Sequence, residues 1–178
     1  MTPSHDTPPP LALCVADANI LFDLNNGLIL AYLTALPYRF IIPDAVFAEL
    51  DGPLRSTVQG LGFEIGSLEA ETVEEIIALR PAYPRLSVAD LFAFFVARDR
   101  RAMLLTGDRR LRELAEAGGL TVHGTLWVLD ELYARQALDA QRSLAALERI
   151  LAWGGRLPAR ECQQRRVLWQ KGISSRPD

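Results

Sequence analysis

The chain has 178 residues, of which 49% are apolar and 23% charged, a composition typical of one globular domain with a terminal extension. A net charge of −3 argues against a nonspecific nucleic-acid coat, because such proteins carry a basic footprint. No apolar run reaches the roughly 20 residues of a membrane helix. Two cysteines without framework spacing, in a chain with no export signal, predict a cytoplasmic protein.

Short apolar runs alternate with helical patterns along the chain. The runs predict five strands, at residues 11–16, 39–42, 63–68, 102–105 and 120–123. Helical spacing predicts helices over residues 20–25, 28–36, 44–50, 72–79 and 88–99, another that stops at Gly118, and further helices over about 126–136, 139–153 and 158–169. Because parallel strands need helical crossovers, we predict an α/β fold with a doubly wound, mainly parallel five-stranded sheet between two helical layers.

The chain divides into four segments by composition. Prolines in residues 1–10 predict a disordered leader rather than a signal peptide. Residues 11–136 form the predicted sheet domain, and residues 137–170 form a helical extension that either packs on the sheet domain or mediates self-association. Residues 171–178 are a polar tail.

Four acids lie near the ends of predicted strands, and we expect all four at the carboxyl edge of the sheet. Asp17 comes just after the first strand, Asp108 just after the fourth, Glu49 lies in the helix after the second, and Asp90 opens the helix before the fourth. Each has a purely structural alternative. Asp17 can start a turn, Glu49 can be an exposed helix residue, Asp108 can cap a helix, and Ser87 to Asp90 matches a capping box.

Taken together, the four acids predict a metal site. Carboxylates that converge repel one another and are costly to hold together unless a cation neutralises them. Such hard oxygen ligands suit Mg²⁺ or Mn²⁺, and one or two of these ions can activate water against a phosphodiester. Nuclease chemistry follows as a hypothesis, with Asn19 and Thr106 as supporting side chains that orient a ligand or a water.

Arginines and aromatic residues supply candidates for contact with a nucleic acid. Arg101, Arg109 and Arg110 flank the fourth strand and suit phosphate oxygens, although solvated helix faces explain them equally well. A second basic cluster near the end has the same two explanations and comprises Arg160, Arg165, Arg166 and Lys171. Three tryptophans are candidates for base stacking, but aromatics at helical spacing are more typical of a core or an interface; they are Trp127, Trp153 and Trp169. His5 and His123 look like neither a general base nor a ligand.

From about residue 11 to residue 132 the chain resembles the PIN-domain family. The resemblance rests on four segments in the same order: Val15 to Asn19, Ile42 to Leu50, Leu86 to Asp90 and Leu104 to Asp108. It implies a metal-dependent ribonuclease acting on single-stranded RNA, in which Asp17, Glu49, Asp90 and Asp108 form the acidic cluster, with Asn19 and Thr106 in support.

The same resemblance implies partners and leaves alternatives. Many proteins of this kind are VapC-type toxins, usually homodimers inhibited by a small antitoxin protein, and the segment from Gly124 to Leu129 is similar to a longer prokaryotic branch. The alternatives are a stand-alone nuclease and a PIN-like module that binds RNA or protein without cutting. A phosphoaspartyl phosphatase is disfavoured because Asn19 replaces its second acid, and a receiver domain because the sole lysine, Lys171, lies in the tail.

Overall fold

A computed structural model describes residues 11–174, so the predicted leader and the last four residues lie outside the described residues. Five strands form one sheet: β1 (Ala12–Ala16), β2 (Tyr38–Pro43), β3 (Glu64–Gly66), β4 (Met103–Leu105) and β5 (Val122–His123). All pairings are parallel, and the strands lie in the order β3-β2-β1-β4-β5. The predicted doubly wound parallel sheet is confirmed.

Helices cover both faces of the sheet, as predicted for a three-layer α/β/α fold. Their bounds are α1 (Ala18–Asn26), α2 (Asp44–Glu49), α3 (Gly52–Gly60), α4 (Ala70–Leu79), α5 (Val88–Arg100), α6 (Arg109–Ala117), α7 (Thr125–Ala134), α8 (Ala140–Ala152) and α9 (Ala159–Ser174). Two short 3₁₀ helices lie at Leu30–Ala35 and Arg80–Ala82. None of the helices in this part of the chain is both long and apolar enough to cross a membrane.

The core is centred on β1 and α5. β1 lies in the middle of the sheet, where Val15 pairs with Ile41 on one side and Leu104 on the other, and residues 14–16 are fully buried. Covered on both faces, such a strand is a nearly continuous apolar run rather than an alternating one. α5 is buried along most of its length, as its phenylalanines predict.

Two local predictions were wrong, and one segment has a second role that was not predicted. The helix predicted over 28–36 is a 3₁₀ turn, because Leu28 adopts φ +58° and its N–H donates to Asn25 O, which ends α1 and redirects the chain. Asp51, Gly52 and Pro53 follow the end of α2 at Glu49 and also start α3: Asp51 caps it, and proline in a first turn has no N–H to lose. The last helix reaches Ser174, so residues 171–174 of the predicted tail are helical.

The C-terminal helices pack on the sheet domain. α8 contacts both α1 and α7, and α9 lies along α8. The contact with α1 is close, because a Cβ built on Gly27 would lie 3.1 Å from Ile150 Cδ1. Trp169 of α9 is completely buried. Of the two expectations for this extension, packing on the sheet domain is the one observed.

Candidate active site

The carboxyl ends of β1 and β4 form the centre of the site. The chain passes from β1 outward through β2 and β3 and then returns to β4 on the other side of β1, so the strand order reverses between these two neighbours. In open α/β sheets, ligands bind at such a reversal. The backbone N–H of Asp17 donates to Leu105 O at 3.1 Å and ties the two strand ends together.

Asp17 is the N-cap residue of α1 and is only 1% exposed. Its Oδ1 accepts a hydrogen bond from Ile20 N at 2.9 Å, and its Oδ2 accepts one from Thr106 Oγ1. The expected turn at the start of this helix is therefore present, but the carboxylate also makes a contact with a residue 89 positions away. Burial of this kind is costly for a charged group.

Thr106 links two of the predicted acids. It is fully buried at the end of β4, where its Oγ1 donates to Asp17 and accepts from Asp108 N at 3.0 Å. Its own N–H donates to His123 O at 2.9 Å, which holds it to β5. One hydroxyl therefore fixes the spacing between the carboxylate after β1 and the backbone that leads to the acid after β4.

Asp108 caps α6 and is half-buried. Its Oδ1 accepts hydrogen bonds from Arg110 N at 2.7 Å and Leu111 N at 2.9 Å. Both bonds go to the same oxygen, and no bond to Oδ2 occurs among residues 11–174. The capping alternative for Asp108 is correct as local structure, and it leaves one carboxylate oxygen for another partner.

Asp90 also has a capping role. It forms the predicted capping box of α5, in which Asp90 Oδ2 accepts from Ser87 N at 2.8 Å and Ser87 Oγ accepts from Asp90 N at 3.0 Å. Oδ1 makes no hydrogen bond within the described part of the chain. Glu49 is the last residue of α2 and is exposed, as its structural alternative predicted.

Electrostatic interactions link the four acids in pairs, Asp17 with Asp90 and Asp108, and Glu49 with Asp90. Burial is the main reason that the pKa of Asp17 rises from 3.8 to about 7, and the charges of Asp90 and Asp108 raise it further, against the hydrogen bonds from Thr106 and Ile20. The pKa of Glu49 is also raised, by burial first and then by the charge of Asp90. Each of the four acids therefore lies within electrostatic range of at least one other, with Asp90 linked to both Asp17 and Glu49.

The donor set of this region fits a hard divalent ion, but the acids do not form a closed cage. Within residues 11–174, no three side chains of His, Cys, Asp or Glu are grouped as a ready-made ion site. Oxygens without a protein partner remain on Asp90 and Asp108, and a carboxylate with a raised pKa remains at Asp17. Carboxylate oxygens are the donors that Mg²⁺ and Mn²⁺ prefer.

A cleft of about 580 Å³ opens beside Asp108. Three segments line it: α1, the turn after β4 and the connection between α8 and α9. Residues that matter below are Asn19, Asp23, Asp108, Arg109, Trp153 and Arg156. Asn19 is exposed, and a Cβ built on Gly107 would lie 3.9 Å from Asn19 Cβ, so the predicted supporting amide does lie next to the turn that carries Asp108.

Asp23 lies in the cleft but was missed by the sequence analysis. The pKa of Asp23 is raised by burial. A hydrogen bond from Thr125 Oγ1 to Asp23 Oδ2, 2.6 Å long, partly opposes this rise. The available signal was helical spacing, since Asp23 lies four residues after Asn19 and therefore on the same face of α1. The sequence named Trp153 as a stacking candidate but not Arg156, and no local signal placed either residue in this cleft, which they reach from a distant loop.

The structure separates the three candidate RNA-binding arginines. Arg109 lines the cleft, and Arg110, on the next position of α6, faces a different surface together with Tyr83 and Leu86. Arg101 precedes β4 whereas Asp108 follows it, so Arg101 lies at the opposite end of that strand from the acids. Any RNA contact by Arg101 would therefore lie away from the acids, because residues that flank a strand in sequence lie at its two ends.

The other candidates divide in a similar way. His123 stacks on Trp127 with ring centroids 4.2 Å apart, Trp169 is core, and Trp153 is 74% exposed. In the second basic cluster, Arg165 pairs with Asp130 and Arg166 with Glu148, so these two arginines bind within the chain. His5 lies outside the described residues.

A comparison with protein-family models finds one match, to a model described as a PIN domain, over residues 13–171. The match includes the acidic edge and nearly all of the C-terminal helices. No curated protein matches the chain.

Proposed function

The chain belongs to the PIN-domain family, which has a nuclease fold, and from this premise we propose that it is a divalent-metal-dependent endonuclease that cleaves single-stranded RNA. One observation carries the proposal. The carboxylate of Asp17 is buried, has a raised pKa, and is joined through Thr106 to the backbone of Asp108. Capping does not by itself require such burial, because Asp51 caps α3 while it is exposed.

Four residues would hold the metal: Asp17, Glu49, Asp90 and Asp108. When bound, one or two Mg²⁺ or Mn²⁺ ions supply an activated water and offset the charge of the phosphodiester. The ions also offset the repulsion that raises the pKa of Asp17, so occupancy favours the ionised carboxylate. Loading is therefore expected to release protons near neutral pH.

The remaining residues position these groups. Thr106 donates to Asp17 Oδ2 and fixes the carboxylate, while the Asp108 N–H bond to Thr106 fixes the turn. Asn19 and Arg109 lie in the adjoining cleft, where an amide and a guanidinium suit the backbone of a nucleic acid. The expected products carry a 5′-phosphate and a 3′-hydroxyl, since water attacks phosphorus and the 2′-hydroxyl takes no part.

The direct test is cleavage of a labelled single-stranded RNA by the purified chain, with Mn²⁺, with Mg²⁺ and with excess chelator. The proposal expects cleavage that needs the metal, that leaves 3′-hydroxyl ends, and that is lost in Asp90→Asn, a change that keeps an oxygen for the capping box. Cyclic phosphate ends would reveal a contaminating ribonuclease. RNA binding without metal-dependent cleavage would overturn the proposal in favour of a noncatalytic module.

Roles as a toxin, as a homodimer and as the target of an antitoxin remain parts of this proposal that rest on the resemblance alone. Expression of the chain in a bacterial host tests the first. Growth arrest that is lost in Asp90→Asn and relieved by a small protein encoded next to the chain supports a toxin, whereas cleavage in vitro without growth arrest supports a stand-alone nuclease.

A further inference from the structure

The cleft beside Asp108 has one wall that comes from the C-terminal extension. Residues 153–157, which connect α8 to α9, face the same space as Asn19, Asp23 and Asp108. This places an exposed tryptophan and an exposed arginine, Trp153 and Arg156, in the cleft that adjoins the acidic edge.

Two glycines give this connection a fixed shape. Gly154 adopts φ +90°, a conformation that side chains disfavour, and its N–H donates to Leu151 O at 3.1 Å. The N–H of Gly155 donates to Ile150 O at 2.9 Å, and a Cβ at this position would lie 2.5 Å from Ile150 Cγ2. The turn is therefore closed tightly onto the end of α8, which fixes the positions of its neighbours Trp153 and Arg156.

Neither side chain has an ion-pair or aromatic partner among the residues that the structure describes. Trp153 is 74% exposed, and within residues 11–174 it makes no contact with another aromatic ring. Arg156 makes no ion pair in that part of the chain, in contrast to Arg165 nearby, which pairs with Asp130. An aromatic face and an unpaired guanidinium, both presented to a cleft, are the groups that stack on bases and bind phosphates.

We infer that Trp153 and Arg156 form an RNA-binding subsite next to the acidic edge, in which Trp153 stacks on a base and Arg156 contacts the adjoining phosphate. This inference rests on the proposed function, because it takes the ligand to be the single-stranded RNA that the acids cleave. Stacking is tolerant of sequence, since every base has a π face. Arg156 offsets the negative charge of Asp23 and Asp108, which would otherwise repel the backbone; Arg109 lines the same cleft but pairs with Glu113.

The test measures binding apart from cleavage. A fluorescein-labelled single-stranded RNA of about ten nucleotides is titrated with the full chain in Ca²⁺ buffer, and anisotropy gives Kd. Trp153→Ala is expected to raise Kd about tenfold, and Trp153→Phe to restore most of the affinity. Arg156→Ala should also weaken binding and should lower the salt dependence of Kd by about one phosphate contact. Arg80→Ala, which removes an exposed arginine that does not line the cleft, is the matched control and should bind as the wild type does.

Intrinsic fluorescence gives a second readout. Unlabelled RNA should quench the emission of the wild-type chain and should leave that of Trp153→Phe unchanged, because Trp169 is buried and Trp127 is stacked on His123.

The outcomes separate this inference from the proposed function. Wild-type affinity and wild-type quenching in the Trp153 variants would overturn the subsite and leave the nuclease standing. Quenching at Trp153 by RNA that the wild-type chain never cleaves would overturn the nuclease and leave the subsite standing. Absence of any RNA binding by the wild-type chain would overturn both.

Discussion

Helix caps at the carboxyl edge of the sheet have the same hydrogen bonds as helix caps at its periphery. The two groups differ in the burial of the carboxylate and in the charges near it. Asp17 and Asp108 cap α1 and α6 at the ends of β1 and β4, whereas Asp51 and Asp139 cap α3 and α8. In all four, a carboxylate oxygen accepts a backbone N–H two or three residues ahead.

The carboxylates differ in their burial, in their further hydrogen bonds and in the charges close to them. Asp51 is exposed, whereas Asp17 is buried, receives a hydrogen bond from Thr106, and has a pKa raised to about 7 by burial and by two neighbouring acids. Capping geometry alone therefore does not distinguish a functional aspartate from a structural one. The cap uses one carboxylate oxygen, and the rest of the fold decides what surrounds the other. Three experiments test this distinction.

The largest effect is expected from replacing a cap at the edge of the sheet and comparing it with a cap at the periphery. Asparagine caps a helix about as well as aspartate does, so Asp108→Asn and Asp51→Asn should both keep their helices. Metal-dependent RNA cleavage should fall about a thousandfold in Asp108→Asn, because a carboxylate that offsets the metal charge is lost. Asp51→Asn should cleave as the wild type does.

Rates are measured with saturating Mn²⁺, and circular dichroism checks that both variants are folded. Equal rates in the two variants would mean that Asp108 is only a cap.

A second test uses the pH dependence of stability in metal-free buffer. The Asp17 carboxyl ionises near pH 3.8 when unfolded and near pH 7 when folded, so folding stability falls as pH rises between these values and the full penalty is present above about pH 7. Three pKa units correspond to at most about 4 kcal/mol. Asp17→Asn removes this penalty and should be more stable than the wild type at pH 8, with little difference below about pH 4.

Urea denaturation of both proteins across this pH range, with chelator present, provides the measurement. Parallel stability curves for the two proteins would show that Asp17 titrates in the folded chain as it does in the unfolded one. When Mn²⁺ replaces the chelator at pH 8, the difference in the free energy of unfolding between the two proteins should become smaller. Mn²⁺ stabilises the protein that keeps the Asp17 carboxylate more than it stabilises Asp17→Asn.

The smallest of the three effects is expected at Thr106. Thr106→Val keeps the shape but removes the hydroxyl that joins Asp17 to Asp108, and such supporting contacts typically contribute about 10- to 100-fold to metal affinity or activity. Thr106→Ser should restore most of the loss. Thr57→Val is the control, since Thr57 Oγ1 bonds only to Pro53 O on the exposed face of α3.

Mn²⁺ affinity, from calorimetry, and the cleavage rate are both measured for these variants. Unchanged values in Thr106→Val would show that the hydroxyl serves only the packing of β4.

Much of the fold follows from local patterns. The five apolar runs are the five strands, and the capping box at Ser87 is present as its spacing predicts, because strand and cap preferences depend on residues a few positions apart. Where a pattern was misread, a local conformation decided the outcome. The positive φ of Leu28 ends α1, and a 3₁₀ helix follows in place of the predicted α-helix.

The sequence by itself determined which residue types follow each strand, and therefore that acids would collect at one edge of a parallel sheet. Only the tertiary structure decided how close they come, because contacts such as Thr106 to Asp17 join residues 89 positions apart. The tertiary structure also places Arg101 at the opposite end of β4 from the acids. It brings Trp153 and Arg156 into the cleft from a helical extension whose packing no local pattern specifies. Burial and Coulomb repulsion depend on distance in space rather than along the chain, so the electrostatic character of this site belongs to the folded protein alone.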